Sequence, residues 1–201
     1  MSATPVSICS NALLRLGDKP IASFEDASDR ATLASNLWPD ARDYVLRRHP
    51  WNCATARVVL APDATAPAFG WTHQFTLPAD WLRTLQVGED GERPPYQIEG
   101  RKVLLNGTAL KLRYIFRNEN PATWDTLLVE AMTRVMRALF AYPSTQSGSM
   151  EQLAESELAQ LLKEARATDG QEDYPDAMDD SPLLQARFSP GSGYSPYRGG
   201  W

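Results

Sequence analysis

A chain of 201 residues suits one medium domain, or one domain with a tail. At 43% hydrophobic and 22% charged, its composition is that of an ordinary soluble globular protein. A net charge of −5 and an isoelectric point near 5.1 exclude indiscriminate coating of duplex nucleic acid, though not a basic patch on one face.

The stretch "TPVSICSNALLRLG" reads as a helix. Thr4 caps it, Pro5 suits its first turn, and Val6, Cys9, Leu13 and Leu16 form one apolar stripe before Gly17 stops it. In "DKPIASFEDAS" the apolar anchors are Ile21 and Phe24. Ser28 or Asp29 then caps a second helix, "DRATLASNLWPDARDYVLRRH", whose buried positions are expected at Ala34, Leu37, Trp38, Ala41, Tyr44 and Val45. Pro39 falls inside that pattern and predicts a kink, or two helices end to end.

From Trp51 to Arg117 short β-prone runs alternate with turns. The runs are "ATARVVL", "HQFTL", "RTLQVG", "PYQIEG", "KVLLN" and "LKLRYIF", with "GEDGE" and "NGT" as turns. They predict a small antiparallel sheet or sandwich. Helices return with "NPATWDTLLVEAMTRVMRALFAYP", capped by Asn120 with Pro121 in its first position. Its stripe is Trp124, Leu128, Ala131, Val135, Leu139 and Tyr142, with Glu130 and Arg134 as an exposed i,i+4 pair. After the short loop "YPSTQSG" a further helix is expected over 147–168, antiparallel to it, with Leu153, Leu158, Leu161, Leu162 and Ala165 inward.

The fold class expected is therefore α+β: an antiparallel helical bundle (1–52 and 118–168), an inserted small antiparallel β domain (53–117), and an extended C-terminal tail (169–201). The tail opens with an acidic spacer containing Asp169, Glu172, Asp173, Asp176, Asp179 and Asp180. That spacer lacks the spacing of a calcium loop and reads as solvated, or as attracted to a basic partner. The tail then spaces Leu183, Leu184, Phe188, Tyr194, Tyr197, Arg198 and Trp201 with Gly, Ser and Pro. Large anchors on a flexible chain are the pattern of a segment that orders on a partner surface already formed.

No pattern of catalysis emerges. His49 and His73 lack partners at metal-ligand spacing and read as structural or surface histidines. There is no nucleophile elbow, no phosphate-binding loop and no dinucleotide fingerprint. Asp40, Asp43 and Glu99 are not spaced as an acid/base pair, so an enzyme, such as a cell-wall hydrolase, is not expected. Neither a metal nor another cofactor is expected. Cys9 and Cys53 lie in apolar company and read as buried free thiols. "MSATPVSICSNALLRLG" has neither a basic start nor a long apolar run, so a signal peptide is not expected. No stretch reaches the ~18 apolar residues of a membrane span. Arg42, Arg47 and Arg48 cluster near the end of the second helix. They either match its C-terminal dipole or contact a neighbouring subunit or DNA.

Two segments carry a family resemblance. The first runs from "ICSNALLRLGDKP" to "LRRHPWNCATARVVL", with a first helix ending at Leu16-Gly17 and a long helix leaving through Pro50-Trp51-Asn52. The second is "FTLPADWLRTLQV", with Leu77, Pro78, Asp80, Leu82 and Arg83 at a strand entry. In this order and spacing they resemble the tail tubular protein A family, the head-to-tail adaptors of short-tailed phages, over residues 6–165. The resemblance implies a non-enzymatic virion protein, made in the host cytoplasm and placed at the head–tail junction. It implies a ring of about twelve copies under the portal protein after DNA packaging. Its other neighbour would be the tail nozzle or tail tube, and genomic DNA would pass through the lumen without sequence-specific binding. It also implies a C-terminal segment that reaches onto the portal. A head-completion or stopper connector of a long-tailed phage is the alternative within the same class.

Overall fold

The first helix, α1 (Pro5–Leu14), starts in a reciprocal capping box. Thr4 Oγ1 accepts from the Ser7 N–H at 3.1 Å, and Ser7 Oγ accepts from the Thr4 N–H at 2.9 Å. At its end Asp18 N–H bonds back to Leu13 O and Gly17 N–H to Leu14 O, a stop that needs the left-handed backbone Gly17 adopts (φ 76°). The computed structural model describes residues 2–89 and 91–145, and beyond them 149, 152, 153, 156, 157, 159–161 and 163. The tail from 169 onward, and the expected inward positions Leu158, Leu162 and Ala165, lie outside the described residues.

Helix α2 (Asp29–Arg48) is capped by the Ser28 hydroxyl, which accepts from the Ala31 N–H. It is one continuous helix rather than two: Pro39 lies inside it at an exposed position, and the helix runs on past the backbone bond that the proline cannot make. Tyr44, expected inside, is 43% exposed, and Arg42 and Leu46 are buried instead. In the connection, Ile21 is buried and Phe24 leans on Trp38 at 6.3 Å.

Six strands follow: β1 (Thr55–Leu60), β2 (His73–Thr76), β3 (Trp81–Val87), β4 (Tyr96–Glu99), β5 (Lys102–Leu105) and β6 (Leu110–Phe116). They form two three-stranded antiparallel sheets, ordered β1-β6-β3 and β2-β5-β4. Side chains alternate along β6, so Leu110, Leu112 and Tyr114 turn one way. There they meet Phe75, Val87, Val103 and Leu105 in a core that both sheets share. Ile115 turns the other way and joins Leu82 in the hydrophobic cluster of the helices. The turn "GEDGE" therefore does not close a hairpin; after Gly88 the chain leaves one sheet for the other.

The last long helix, α3 (Thr126–Thr145), starts later than the sequence suggests. Asn120 caps only a 3-10 turn (Pro121–Thr123), and Asp125 Oδ1 accepts from the Leu128 N–H at the start of the α-helix. It also continues past Pro143. Its buried apolar positions are Leu128, Ala131, Met132, Val135, Met136, Phe140 and Ala141. Leu139 and Tyr142, expected inside, are 39% and 59% exposed, because the buried arc rotates toward Phe140 and Ala141 in the last turns. The described residues between 149 and 163 are helical, with Leu161 buried in the helical cluster and Leu153 48% exposed, contrary to expectation.

Helix α3 packs on both α1 and α2. Arg15, the residue just after α1, makes a two-pronged ion pair to Glu130 of α3 at 2.7 and 2.9 Å, and Arg134 joins at 3.0 Å. The Arg15 guanidinium, with Arg134 behind it, holds the Glu130 carboxyl below the usual carboxylate range. Trp38 of α2 stacks on Trp124, centroids 6.0 Å apart and planes within 7°. The chain crosses between helices and sheets twice, and one side chain ties the crossings together. Asn118 is 7% exposed. Its Nδ2 donates to Cys53 O at 2.8 Å and to Thr123 Oγ1 at 2.9 Å, its Oδ1 accepts from the Asn120 N–H at 3.1 Å, and its own carbonyl accepts from Trp124 Nε1 at 3.2 Å.

Replacing Asn118 by alanine strands the Cys53 carbonyl and the Asn120 N–H. In urea unfolding Asn118→Ala is expected to lose about 2–3 kcal/mol, well above an ordinary surface substitution. A loss below about 0.5 kcal/mol contradicts a structural tie at this position.

Candidate interaction surface

The three arginines of the α2 C-terminus do not form a single patch. Arg42 is 9% exposed; its Nε donates to Asp43 at 2.9 Å and its NH1 to Glu119 at 3.1 Å. The other oxygen of Asp43 accepts from Arg117 Nε at 2.9 Å, so a chain of charges runs Glu119–Arg42–Asp43–Arg117. It joins the middle of α2 to the segment that leaves β6. Arg47 donates from NH1 to Leu82 O at 2.7 Å while Arg83 NH1 donates to Arg47 O at 3.0 Å, a reciprocal clasp between α2 and β3. Arg48 is exposed, bonds the Tyr44 hydroxyl and lies over its ring at 4.5 Å.

The residues at the motif positions are joints of the fold. Trp51 is 1% exposed; its Nε1 donates to Val45 O at 3.1 Å, and the His49 ring meets it edge-on at 4.6 Å. Leu77 N–H donates to Arg101 O at 2.9 Å, and the Arg101 guanidinium bonds Pro78 O. Asp80 accepts the Arg117 N–H on its carbonyl at 2.7 Å and the Tyr114 hydroxyl on its carboxylate at 3.3 Å. Arg117, Asn118 and Glu119 escape sequence reasoning. The only signal for them is the polar run "RNEN" ahead of a proline, which reads as a turn.

The remaining candidates are placed as follows. Leu183, Leu184, Phe188, Tyr194, Tyr197, Arg198 and Trp201 lie outside the described residues. Burial pushes the free Cys9 thiol up to about 12 and the half-buried Cys53 thiol up to about 11. His73 Nδ1 lies 3.0 Å from the Thr72 hydroxyl. Among the described residues no group of three or more His, Cys, Asp or Glu could hold a metal ion, and no helix is long and apolar enough to cross a membrane.

Two kinds of surface are left open. Apolar side chains are exposed on helical residues, at Leu14 (54%), Leu139 and Tyr142, and Phe69 is 88% exposed in the loop between β1 and β2. The face of the β1-β6-β3 sheet that gives Ile115 to the helices carries, further along the strands, a groove of about 530 Å³ lined by Arg57, Val59, Gln86, Lys111 and Arg113 among others.

These placements separate the arginines by experiment. Arg42→Ala breaks two ion pairs at a buried position and is expected to cost about 2 kcal/mol in urea unfolding. Arg48→Ala is expected to stay within about 0.5 kcal/mol of the parent, which makes it the variant suited to probing a partner contact at this end of α2. Equal costs for the two contradict the division. No protein-family model and no curated protein matches this chain.

Proposed function

We propose that this chain is a structural virion protein, a head-to-tail adaptor that assembles as a ring under the portal protein after DNA packaging. It links the capsid to the tail nozzle or tail tube. In this reading the helices of 1–52 and 118–168 form an antiparallel bundle that meets the portal and neighbouring subunits. The β part, 53–117, faces the tail, and the tail of residues 169–201 reaches the portal. No catalytic step is assigned to the chain.

The observation that carries the reading is where the resembling residues lie. Leu16-Gly17 is the stop of α1. Pro50-Trp51-Asn52 is the exit from α2 toward β1, with Trp51 buried between two exposed neighbours. Leu77 and Pro78 bond Arg101 in the turn between β4 and β5, Asp80 bonds Tyr114 of β6 and Arg117 just after it, and Leu82 and Arg83, at the start of β3, bond Arg47 of α2. Residues that fix where elements stop and how they join are the ones that a shared architecture requires, so the resemblance rests on structure-determining positions rather than on composition. The exposed Leu14, Leu139 and Tyr142 supply apolar surface of the kind that neighbouring copies cover.

A mass measurement on the purified protein, alone and mixed with the portal ring of its own phage, tests the proposal. The expected outcome is a small species alone and a multi-copy ring on the portal. No association at any ionic strength contradicts the assignment.

A further inference from the structure

Sheet β1-β6-β3 places two arginines directly opposite each other: Arg57 of β1 pairs in register with Arg113 of β6. Like charges facing across a ladder repel and weaken the sheet. Among the described residues neither guanidinium makes a hydrogen bond or ion pair, and Arg113 Nε is buried without a hydrogen-bond partner. Lys111, next on the same face of β6, is already paired with Glu89. Beside the arginines Val59 is 66% exposed, two residues along β1 from Arg57 and on the same face.

We propose that this groove binds an acidic peptide segment of another chain, its carboxylates held by Arg57 and Arg113 and an apolar side chain covering Val59. The inference is independent of the adaptor reading. A guanidinium presents a fixed fork of donors that matches a carboxylate. Strand β1 is an edge of its sheet, open to an extended partner. In an extended segment every second side chain faces the same way. The ligand is therefore an acidic residue two positions from an apolar one, the spacing of Arg57 and Val59 themselves. The alternative anion, a nucleic-acid backbone, is disfavoured twice: the chain carries −5 overall, and Glu89 borders the groove with a carboxylate.

The probe is a labelled synthetic peptide with the sequence of residues 169–180, in which Asp176 precedes Met178 by two positions. It is titrated with the full chain at low ionic strength and followed by anisotropy. Saturable binding is expected, with Arg57→Gln and Arg113→Gln each weakening it about tenfold. Lys19→Gln, which removes an exposed charge elsewhere, should leave it unchanged. A peptide with Asn and Gln in place of its acids should fail to bind. In the same variants the denaturation midpoint of Arg57→Gln should rise, because the repulsion across the ladder is gone. That rise separates lost binding from lost folding. The proposal is overturned if the parent does not bind, or if the arginine variants bind like Lys19→Gln. It is equally overturned if the neutral peptide binds as well, if a DNA duplex competes more strongly than unlabelled peptide, or if Arg57→Gln lowers the midpoint.

Discussion

The carboxamide of Asn118 is the constraint on which the rest depends. A chain that folds as helices, then sheets, then helices must cross the boundary twice, and the two crossings are far apart in sequence. Asn118 bonds the incoming crossing at Cys53 and the outgoing one at Asn120, Thr123 and Trp124. Buried polar backbone at such a boundary is costly unless bonded. A side chain with two donors and an acceptor answers several of those needs at once. With the crossings pinned, Trp124 is held where it can stack on Trp38, and α3 is directed onto α1 and α2.

Charge reinforces the same joint. The run Glu119–Arg42–Asp43–Arg117 ties α2 to the segment that leaves β6, beside the Arg47–Arg83 clasp onto backbone carbonyls. Such pairs act on geometry as much as on stability, because half-buried ions favour the one arrangement that satisfies them. Strand β6 completes the connection through its alternation: it gives Leu112 and Tyr114 to the core between the sheets and Ile115 to the helical core. The strands are thereby coupled to the helices by packing as well as by polar bonds. The like-charged Arg57–Arg113 pair stands outside this economy of satisfied charges, and that contrast is what marks the open sheet face as a binding surface.

Much of the mixed α+β architecture was legible in the sequence. The six strands fall within a residue or two of their expected runs, because alternation and flanking Gly and Pro are local signals. The cap at Thr4 and the stop at Gly17 are equally local. What was not legible depends on tertiary partners. A heptad-like stripe puts Leu139 and Tyr142 inside, but the buried arc of α3 rotates with the surface it meets. Tyr44 yields its expected inward place to Arg42 and Leu46, and Arg42 is buried only because Asp43 and Glu119 meet it there. The partition of the strands into two sheets follows from pairings that composition does not encode. The interaction surfaces are harder still: register alone reveals that Arg57 faces Arg113.

In the proposed adaptor role, a rigid joint is combined with surfaces left for others. The joint keeps helices and strands in a fixed relation, as a subunit that bridges two different neighbours requires. The exposed apolar residues of the helices and the arginine groove offer separate contacts to copies or partners. In this account the aromatic residues between Leu183 and Trp201 attach each copy to the portal, and many copies on one ring let individually weak tails hold firmly. The most direct measurement is portal association of a chain lacking residues 183–201, read by sedimentation beside the full-length protein, with circular dichroism on both. The account predicts an unchanged folded spectrum and a marked loss of association. Undiminished association, or a truncated chain that no longer folds, contradicts it.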